Sequence, residues 1–130
     1  MGKRLYEAMF IVDAAKGGSE FASVVQHIAG LLQRHGADIE RIEKWDDRKL
    51  VYSIRQVERG MYILTYFRLE TDKVAELRRD VRLSENLLRV LVLAAEEMTP
   101  PRGQLYSPDG QPVAAPVDEP AAAQDAEAGS

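Results

Sequence analysis

The stretch that decides the fold runs from residue 61 to residue 69 and reads Met61-Tyr62-Ile63-Leu64-Thr65-Tyr66-Phe67-Arg68-Leu69. Aromatic, β-branched and aliphatic residues of this kind favour a β-strand. Side chains alternate between the two faces of a strand, so if the odd-numbered residues face a core, the even-numbered ones face away from it. The outward set is then Tyr62, Leu64, Tyr66 and Arg68. A face with so much apolar surface usually marks an interaction surface.

A second extended segment precedes this strand. From residue 37 to residue 54 the apolar positions recur at every second residue, and Glu58 to Gly60 predict a turn into the next strand. Ile39 and Ile42 are three positions apart, which predicts a β-bulge in this first arm. The two segments together predict a long β-hairpin.

Two segments have the periodicity of amphipathic helices. The first carries its apolar stripe from Phe21 to Leu32, with Ser19 as the expected N-cap and Gly36 as the residue that ends the helix. In the second, Asp72 is the expected cap, and apolar residues recur at spacings of three and four. They are Val74, Leu77 and Val81.

The two remaining strands lie at the outer ends of this region. Residues 4–12 alternate, with Tyr6, Ala8, Phe10 and Val12 on the inner face, and a last strand is predicted over Leu87–Leu93. The order is β-α-β-β-α-β. It predicts an α+β protein of ferredoxin-like topology, with a four-stranded antiparallel sheet and two helices on one face. The other face is open, and Met9 and Ile11 extend its apolar surface.

The charge distribution divides the chain into two regions. Residues 1–98 carry 16 basic and 16 acidic side chains, whereas residues 99–130 carry one arginine, five acids and all six prolines. With few large apolar residues, the second region cannot offset the entropy of ordering its backbone. We therefore predict a folded domain over residues 1–98 and a disordered acidic tail rich in alanine and proline over residues 99–130.

Composition excludes several classes of function. The chain has no cysteine, which removes disulfides, thiolate metal sites and cysteine nucleophiles. Its longest apolar run, Ala8–Val12, is far below the ~20 residues that span a bilayer, so no membrane role is expected and the chain is predicted to be cytoplasmic.

No group of residues has the pattern of a catalytic, metal or cofactor site. Gly17-Gly18-Ser19 fits neither the dinucleotide-binding signature nor the P-loop signature, and it is interpreted as a turn before a helix cap. His27 and His35 are interpreted as solvent-exposed residues rather than as ligands. The sequence therefore predicts a protein that is not an enzyme and needs no metal, cofactor or small-molecule substrate.

Several segments resemble one known family in their order and spacing. They are Arg4-Leu5-Tyr6-Glu7, the helix stop at Gly36, the run from Trp45 to Ile54, the Gly60 turn and the run from Leu83 to Arg89. Together they resemble the bacterial small-subunit ribosomal protein S6 family over about residues 3–95. The resemblance implies a structural protein of the small ribosomal subunit that binds 16S ribosomal RNA together with ribosomal protein S18 during assembly of the central domain, or platform.

The resemblance also implies two sets of site residues. The set expected to approach RNA phosphates is Lys3, Arg4, Arg48, Lys49 and Arg82. The set expected to receive the protein partner is Glu7, Met9, Tyr62, Leu64, Tyr66 and Arg89.

The fold by itself leaves another function open. Ferredoxin-like sheets also hold small ligands, so a regulatory domain that senses a small molecule is the alternative. A phosphate-ester or acyl-phosphate hydrolase is disfavoured because Asn86, the only asparagine, is remote in sequence from Gly17 and Gly18.

Overall fold

Four long strands and two helices follow one another in the predicted order. The computed structural model describes residues 2–13, 21–54, 57–84 and 87–113 of the chain. The long strands are β1 (Lys3–Asp13), β2 (Asp38–Ile54), β3 (Val57–Glu70) and β4 (Leu87–Ala94). The helices are α1 (Phe21–Arg34) and α2 (Val74–Leu83), and a 3-10 turn over Thr71–Lys73 leads into α2.

The sheet is antiparallel and larger than expected. Its strand order is β4-β1-β3-β2, continued by two short strands, β5 (Leu105–Tyr106) and β6 (Pro112–Val113). The ferredoxin-like order of the four long strands is as predicted, but the four-stranded sheet is corrected to six strands in the part of the chain that the structure describes. β5 pairs with the otherwise free edge of β2, so the chain covers one of its own edges.

The main core lies between the sheet and the two helices. The inner residues predicted for β1 are buried there, and Phe10 and Ala8 have no exposed surface. The apolar stripe of α1 packs against them through Val25, Ile28 and Leu32, and α2 adds Leu77 and Val81. The predicted division of β1 and of both helices into buried and exposed faces is confirmed.

Local sequence signals predicted some ends of helices and strands correctly and others wrongly. Gly36 ends α1 with a φ of 86°, and the register of β2 shifts between Ile39 and Arg41, which confirms the bulge. Asp72 is not a helix cap, because the backbone passes through the 3-10 turn and α2 begins after Lys73 with no capping side chain. Gly60 pairs with Arg48 inside the hairpin, so the turn predicted at residues 58–60 is wrong.

The largest correction concerns residues 99–113, which were expected to belong to the disordered tail. Residues 95–104, here called the strap, run from the end of β4 to the far edge of β2, and residues 105–113 form the β5–β6 hairpin. The folded region therefore extends past Met98. Residues 114–130 and the expected N-cap Ser19 lie outside the described residues, so disorder in that last part stays a prediction.

The β5–β6 hairpin is fastened to α1. The ring of Tyr106 lies 4.6 Å from that of Phe21 between centroids, and Gln26 Nε2 donates to the Asp109 carbonyl oxygen at 2.6 Å. A hydrogen bond from the Ser107 hydroxyl, followed in size by one from the Gln111 N–H, lowers the pKa of Asp109. Contacts of this kind show that the hairpin is built into the fold.

Candidate functional site

The open face of the sheet is half covered by the chain itself. Three apolar residues that face away from the helices, Leu5, Leu64 and Tyr66, form a second buried cluster with Met9, Trp45 and Ala95 packed against it. Leu64 is 4% exposed and Tyr66 has no exposed surface. The expectation that these two side chains are available on an open face is therefore wrong in this structure, because the strap lies over them.

Hydrogen bonds mark the path of the strap across the sheet. Ala95 N donates to Leu5 O at 3.0 Å over β1, and the Thr99 hydroxyl lies 3.0 Å from the hydroxyl of Tyr66 over β3. Over β2, Lys44 N donates to Gln104 O at 2.9 Å. The strap thus crosses the sheet between its first contact on β1 and its last on β2.

A buried carboxylate holds the strap at β2. Glu43 has no exposed surface, and its Oε2 accepts hydrogen bonds from Arg102 N at 2.5 Å and Gly103 N at 2.8 Å. Arg41 lies beside it, with Nη2 3.6 Å from Glu43 Oε1 and donating to Thr99 O at 2.6 Å. A buried charge needs such partners, since leaving it without them is costly.

Two aromatic rings of the sheet lie against cations, one from the sheet itself and one from the strap. The Arg41 guanidinium lies 4.8 Å from the centroid of the Tyr66 ring, and the Arg102 guanidinium lies 4.6 Å from that of Trp45. Cations at these distances are attracted by the ring faces. The groove under the strap therefore offers an acidic group, apolar surface and an aromatic ring that accepts a cation.

The other half of the open face stays exposed. Leu91 is 58% exposed and Leu93 is 52% exposed, both on the outer side of β4. They stand opposite Met9 and Glu7 of β1, which are half-buried, as is Tyr62 of β3. Paired antiparallel neighbours share a face, so these residues form one largely apolar patch beside the strap, with Glu7 as its charged member.

Arginine side chains line a groove at the β4 edge of the sheet. The groove has a volume of about 300 Å³ and lies between α2 and β4. Arg78, Arg82 and Arg89 line it together with Val81, Leu88 and Val90. The structure thus brings Arg82, predicted for RNA, together with Arg89, predicted for the protein partner. Guanidinium groups bind phosphate or carboxylate oxygens in bidentate fashion, so the groove suits an anionic partner.

The remaining basic residues predicted to meet RNA lie elsewhere. Lys3 and Arg4 are exposed at the start of β1, and Lys3 Nζ lies 3.0 Å from Asp38 Oδ2. The backbones of Arg48 and Lys49 pair with Gly60 and Arg59 in the hairpin, but their side chains lie outside the described part of the structure. Among the predicted residues whose side chains are described, Lys3 and Arg4 lie at a different site from Arg82.

The two histidines join the helices. His27 Nε2 lies 3.0 Å from Ser84 Oγ, and His35 Nε2 lies 2.7 Å from Asp80 Oδ2. Both residues are half-buried, so their interpretation as solvent-exposed is wrong. Among the described residues, no cluster of histidine and acidic side chains has the arrangement of a metal site. No helix among them is long and apolar enough to cross a membrane.

The fold and these surfaces define a small α+β domain of ferredoxin-like topology with an arginine groove at one sheet edge and an apolar sheet face. A family model described as ribosomal protein S6 matches residues 5–94. The chain belongs to the ribosomal protein S6 family. It is therefore a structural, non-enzymatic ribosomal protein, and its place is the ribosome in the cytoplasm.

Individual relatives agree with this family. The chain is 34% identical over 93 residues to the small ribosomal subunit protein bS6 of Campylobacter lari, which covers 72% of this chain and 75% of the relative. It is 31% identical over 94 residues to bS6 of Halalkalibacterium halodurans, covering 72% of this chain and 99% of that one. Family membership favours the ribosomal function over the ligand-sensing alternative that the fold had left open.

A solved structure supports the fold. The crystal structure of 30S ribosomal protein S6 from Thermotoga maritima superimposes with a TM-score of 0.62 at 24% identity, over 72% of this chain and 88% of that chain. The family match ends at residue 94, where the strap begins. The strap thus lies beyond the region that the family model describes, whereas the sheet residues that it contacts lie within it.

Sequence reasoning missed part of what the site contains. Arg78 could have been found, because it lies four residues from Arg82 and side chains at that spacing share one side of a helix. Glu43 and Arg41 gave no signal, since alternating charges in a strand are typical of a solvated face. Their role follows only from the strap, which composition had placed in a disordered tail.

Proposed function

We propose that the chain binds 16S ribosomal RNA of the small subunit together with ribosomal protein S18, during assembly of the central domain that forms the platform. The family supports a ribosomal role, and the small-subunit relatives support this subunit. The observation that carries the RNA part is the groove lined by Arg78, Arg82 and Arg89. The RNA and the protein partner would use neighbouring parts of the surface that meet at Arg89.

The RNA would be recognised through its backbone. Folded RNA presents phosphates and 2′-hydroxyl groups, and arginine forks match phosphate oxygens. Arg82 lies in the last turn of α2 and Arg89 on the neighbouring edge strand, so one stretch of backbone can contact both. Lys3, Arg4, Arg48 and Lys49 are proposed as additional phosphate contacts outside the groove.

The protein partner would dock on the exposed half of the sheet face. Leu91 and Leu93 leave apolar surface in water next to Met9, and such a patch is stabilised when a partner covers it. Glu7, Met9, Tyr62 and Arg89 border this patch and are the proposed contacts with S18. Leu64 and Tyr66 can join them only after the strap has moved.

The experiment measures binding to a central-domain fragment of 16S RNA, with and without S18, over a series of salt concentrations. We expect S18 to tighten the binding. We expect Arg82→Glu to weaken it and to reduce the slope of log affinity against log salt by about one, because one phosphate contact is lost. Thermal melting checks that the variant is folded.

The matched control is Arg34→Glu, which makes the same charge change on an exposed residue at the end of α1. It should leave the salt slope unchanged. Equal slopes for wild type and Arg82→Glu would contradict the assignment of the groove to RNA. Binding that does not respond to S18 would contradict the joint assembly.

A further inference from the structure

We propose that the groove beneath the strap is a peptide-binding groove, and that the strap is its resident occupant. The segment that would replace the strap is a basic, glycine-containing segment of another protein that bends at its glycine. The groove is lined by Leu5, Trp45, Leu64, Tyr66 and Glu43. The proposal rests on the protein-partner part of the proposed function, since Leu64 and Tyr66 belong to both, but its test uses only this chain and synthetic peptides and so can fail independently of it.

The groove recognises main-chain groups in a specific arrangement. One carboxylate, Glu43, accepts two successive backbone N–H groups, and Lys44 N donates to the next carbonyl oxygen, that of Gln104. The first of the two N–H groups belongs to Arg102, whose guanidinium lies over Trp45. These contacts define the ligand as a segment that carries a cation followed by a small residue and bends at that residue, because two successive N–H groups can reach one carboxylate oxygen only from a bent backbone.

The small residue has to be glycine. A Cβ atom placed on Gly103 would lie 2.0 Å from the carbonyl oxygen of Lys44, a backbone atom that cannot rotate away. A strap with alanine at this position therefore cannot take the same path. This restriction makes the groove selective for glycine at this position. It also means that the Gly103→Ala substitution should remove the strap from the groove.

The resident segment is a weak occupant. Every strap residue from Glu96 to Arg102 is exposed, so the strap covers apolar surface without burying large apolar side chains of its own. Pro100 and Pro101 have no N–H to donate. The floor beneath, by contrast, contains Tyr66 and Leu64 and would be unfavourable to leave in water. A segment that brings more apolar surface can therefore replace the strap.

The position of the groove fits a partner docked on the neighbouring patch. Met9 pairs with Leu64 on the covered side and with Leu91 on the exposed side, so the two surfaces are continuous. A protein seated on the exposed half can extend a segment into the groove without crossing the core.

The experiment uses the full chain with Gly103→Ala, in which the strap cannot seat. A synthetic peptide of residues 96–113 with the natural Gly103 is added, and fluorescence of Trp45, the only tryptophan, reports binding. We expect saturable binding to this variant. We expect none to the wild-type chain at the same peptide concentration, because a tethered strap has an effective concentration in the ~mM range.

Peptide variants test the chemistry of recognition. The Gly103→Ala peptide should not bind, and the Arg102→Glu peptide should bind at least about tenfold more weakly, since it loses the cation over Trp45. Equal binding of all peptides, or of the natural peptide to wild type and variant alike, would overturn the proposal. Dimers of the wild-type chain that form by strap exchange at high concentration would show that the occupant is a second copy, and would overturn the assignment to another protein.

A second measurement keeps the proposal testable if Gly103→Ala does not fold. In the wild-type chain, hydrogen exchange should show the amides of Arg102 and Gly103 opening at least about tenfold more often than that of Tyr66 in β3. Exchange of all three amides at one common rate would mean that the strap leaves only on global unfolding, and would overturn the proposal.

Discussion

At the scale of single residues, Glu43 links the sheet to the strap. It is a strand residue whose carboxylate is removed from water, and it compensates for this by accepting two backbone N–H groups and lying beside Arg41. Interactions of this kind depend on all partners being present, because a buried charge without partners is strongly unfavourable. Glu43 should therefore contribute to stability out of proportion to the other acids of β2.

We predict that Glu43→Ala lowers the free energy of unfolding by roughly 3 kcal/mol, since it leaves Arg41 without its carboxylate and two strap amides without an acceptor. Urea denaturation of the full chain measures the change. Glu40→Ala is the control in the same strand, because Glu40 forms an ion pair with Arg68 at 3.2 Å that is partly in water. That variant should change stability by less than about 1 kcal/mol. A similar loss of unfolding free energy in both variants would contradict the attribution of the effect to the burial of Glu43.

The outward residues of β3 show what the sequence could and could not predict at this scale. Alternation placed Leu64 and Tyr66 on the face away from the helices correctly, because strand geometry fixes the side on which a residue lies. It could not show that they are buried, since their cover comes from residues about 30 positions later. Alternation gives the direction of a side chain, whereas burial depends on what the rest of the chain places above it.

At the scale of elements, long periodic segments were predicted well and short ones were missed. α1, β1 and β3 each bury a regular apolar face, so their patterns are visible over ten or more residues. β5 and β6 have two residues each and no period to detect. They form because β2 offers a free edge and α1 offers Phe21 to Tyr106, both of which are tertiary features.

Two glycines of α1 test how far local geometry determines this element. Gly30 lies inside the helix with open space where a Cβ would be, whereas Gly36 ends it with a positive φ. Gly30→Ala should raise the free energy of unfolding by about 0.5–1 kcal/mol, because alanine loses less entropy in a helix. Gly36→Ala should lower it by about 1 kcal/mol through backbone strain. Thermal unfolding compares the two, and shifts of the same sign would contradict this account of the helix end.

At the scale of the whole molecule, charge is separated along the chain rather than spread over it. The basic groove lies at the β4 edge, while residues 114–130 carry four acids and no basic residue. Deleting those residues would bring the net charge from −4 to zero. Since the described residues end at Val113, this deletion removes charge and leaves every described strand in place.

We predict that a chain ending after Val113 keeps its cooperative melting transition and binds non-specific RNA slightly more tightly, by about two- to threefold at low salt, because four repelling charges are lost. The advantage should fade as salt screens the charges. A chain ending after Met98 should instead melt at a lower temperature, since it also loses the hydrogen bonds from Arg102 and Gly103 to Glu43. Melting curves and filter binding of both truncations measure these effects. Equal melting temperatures for the full chain and the chain ending after Met98 would return the domain boundary to residue 98 and leave the strap without a stabilising role.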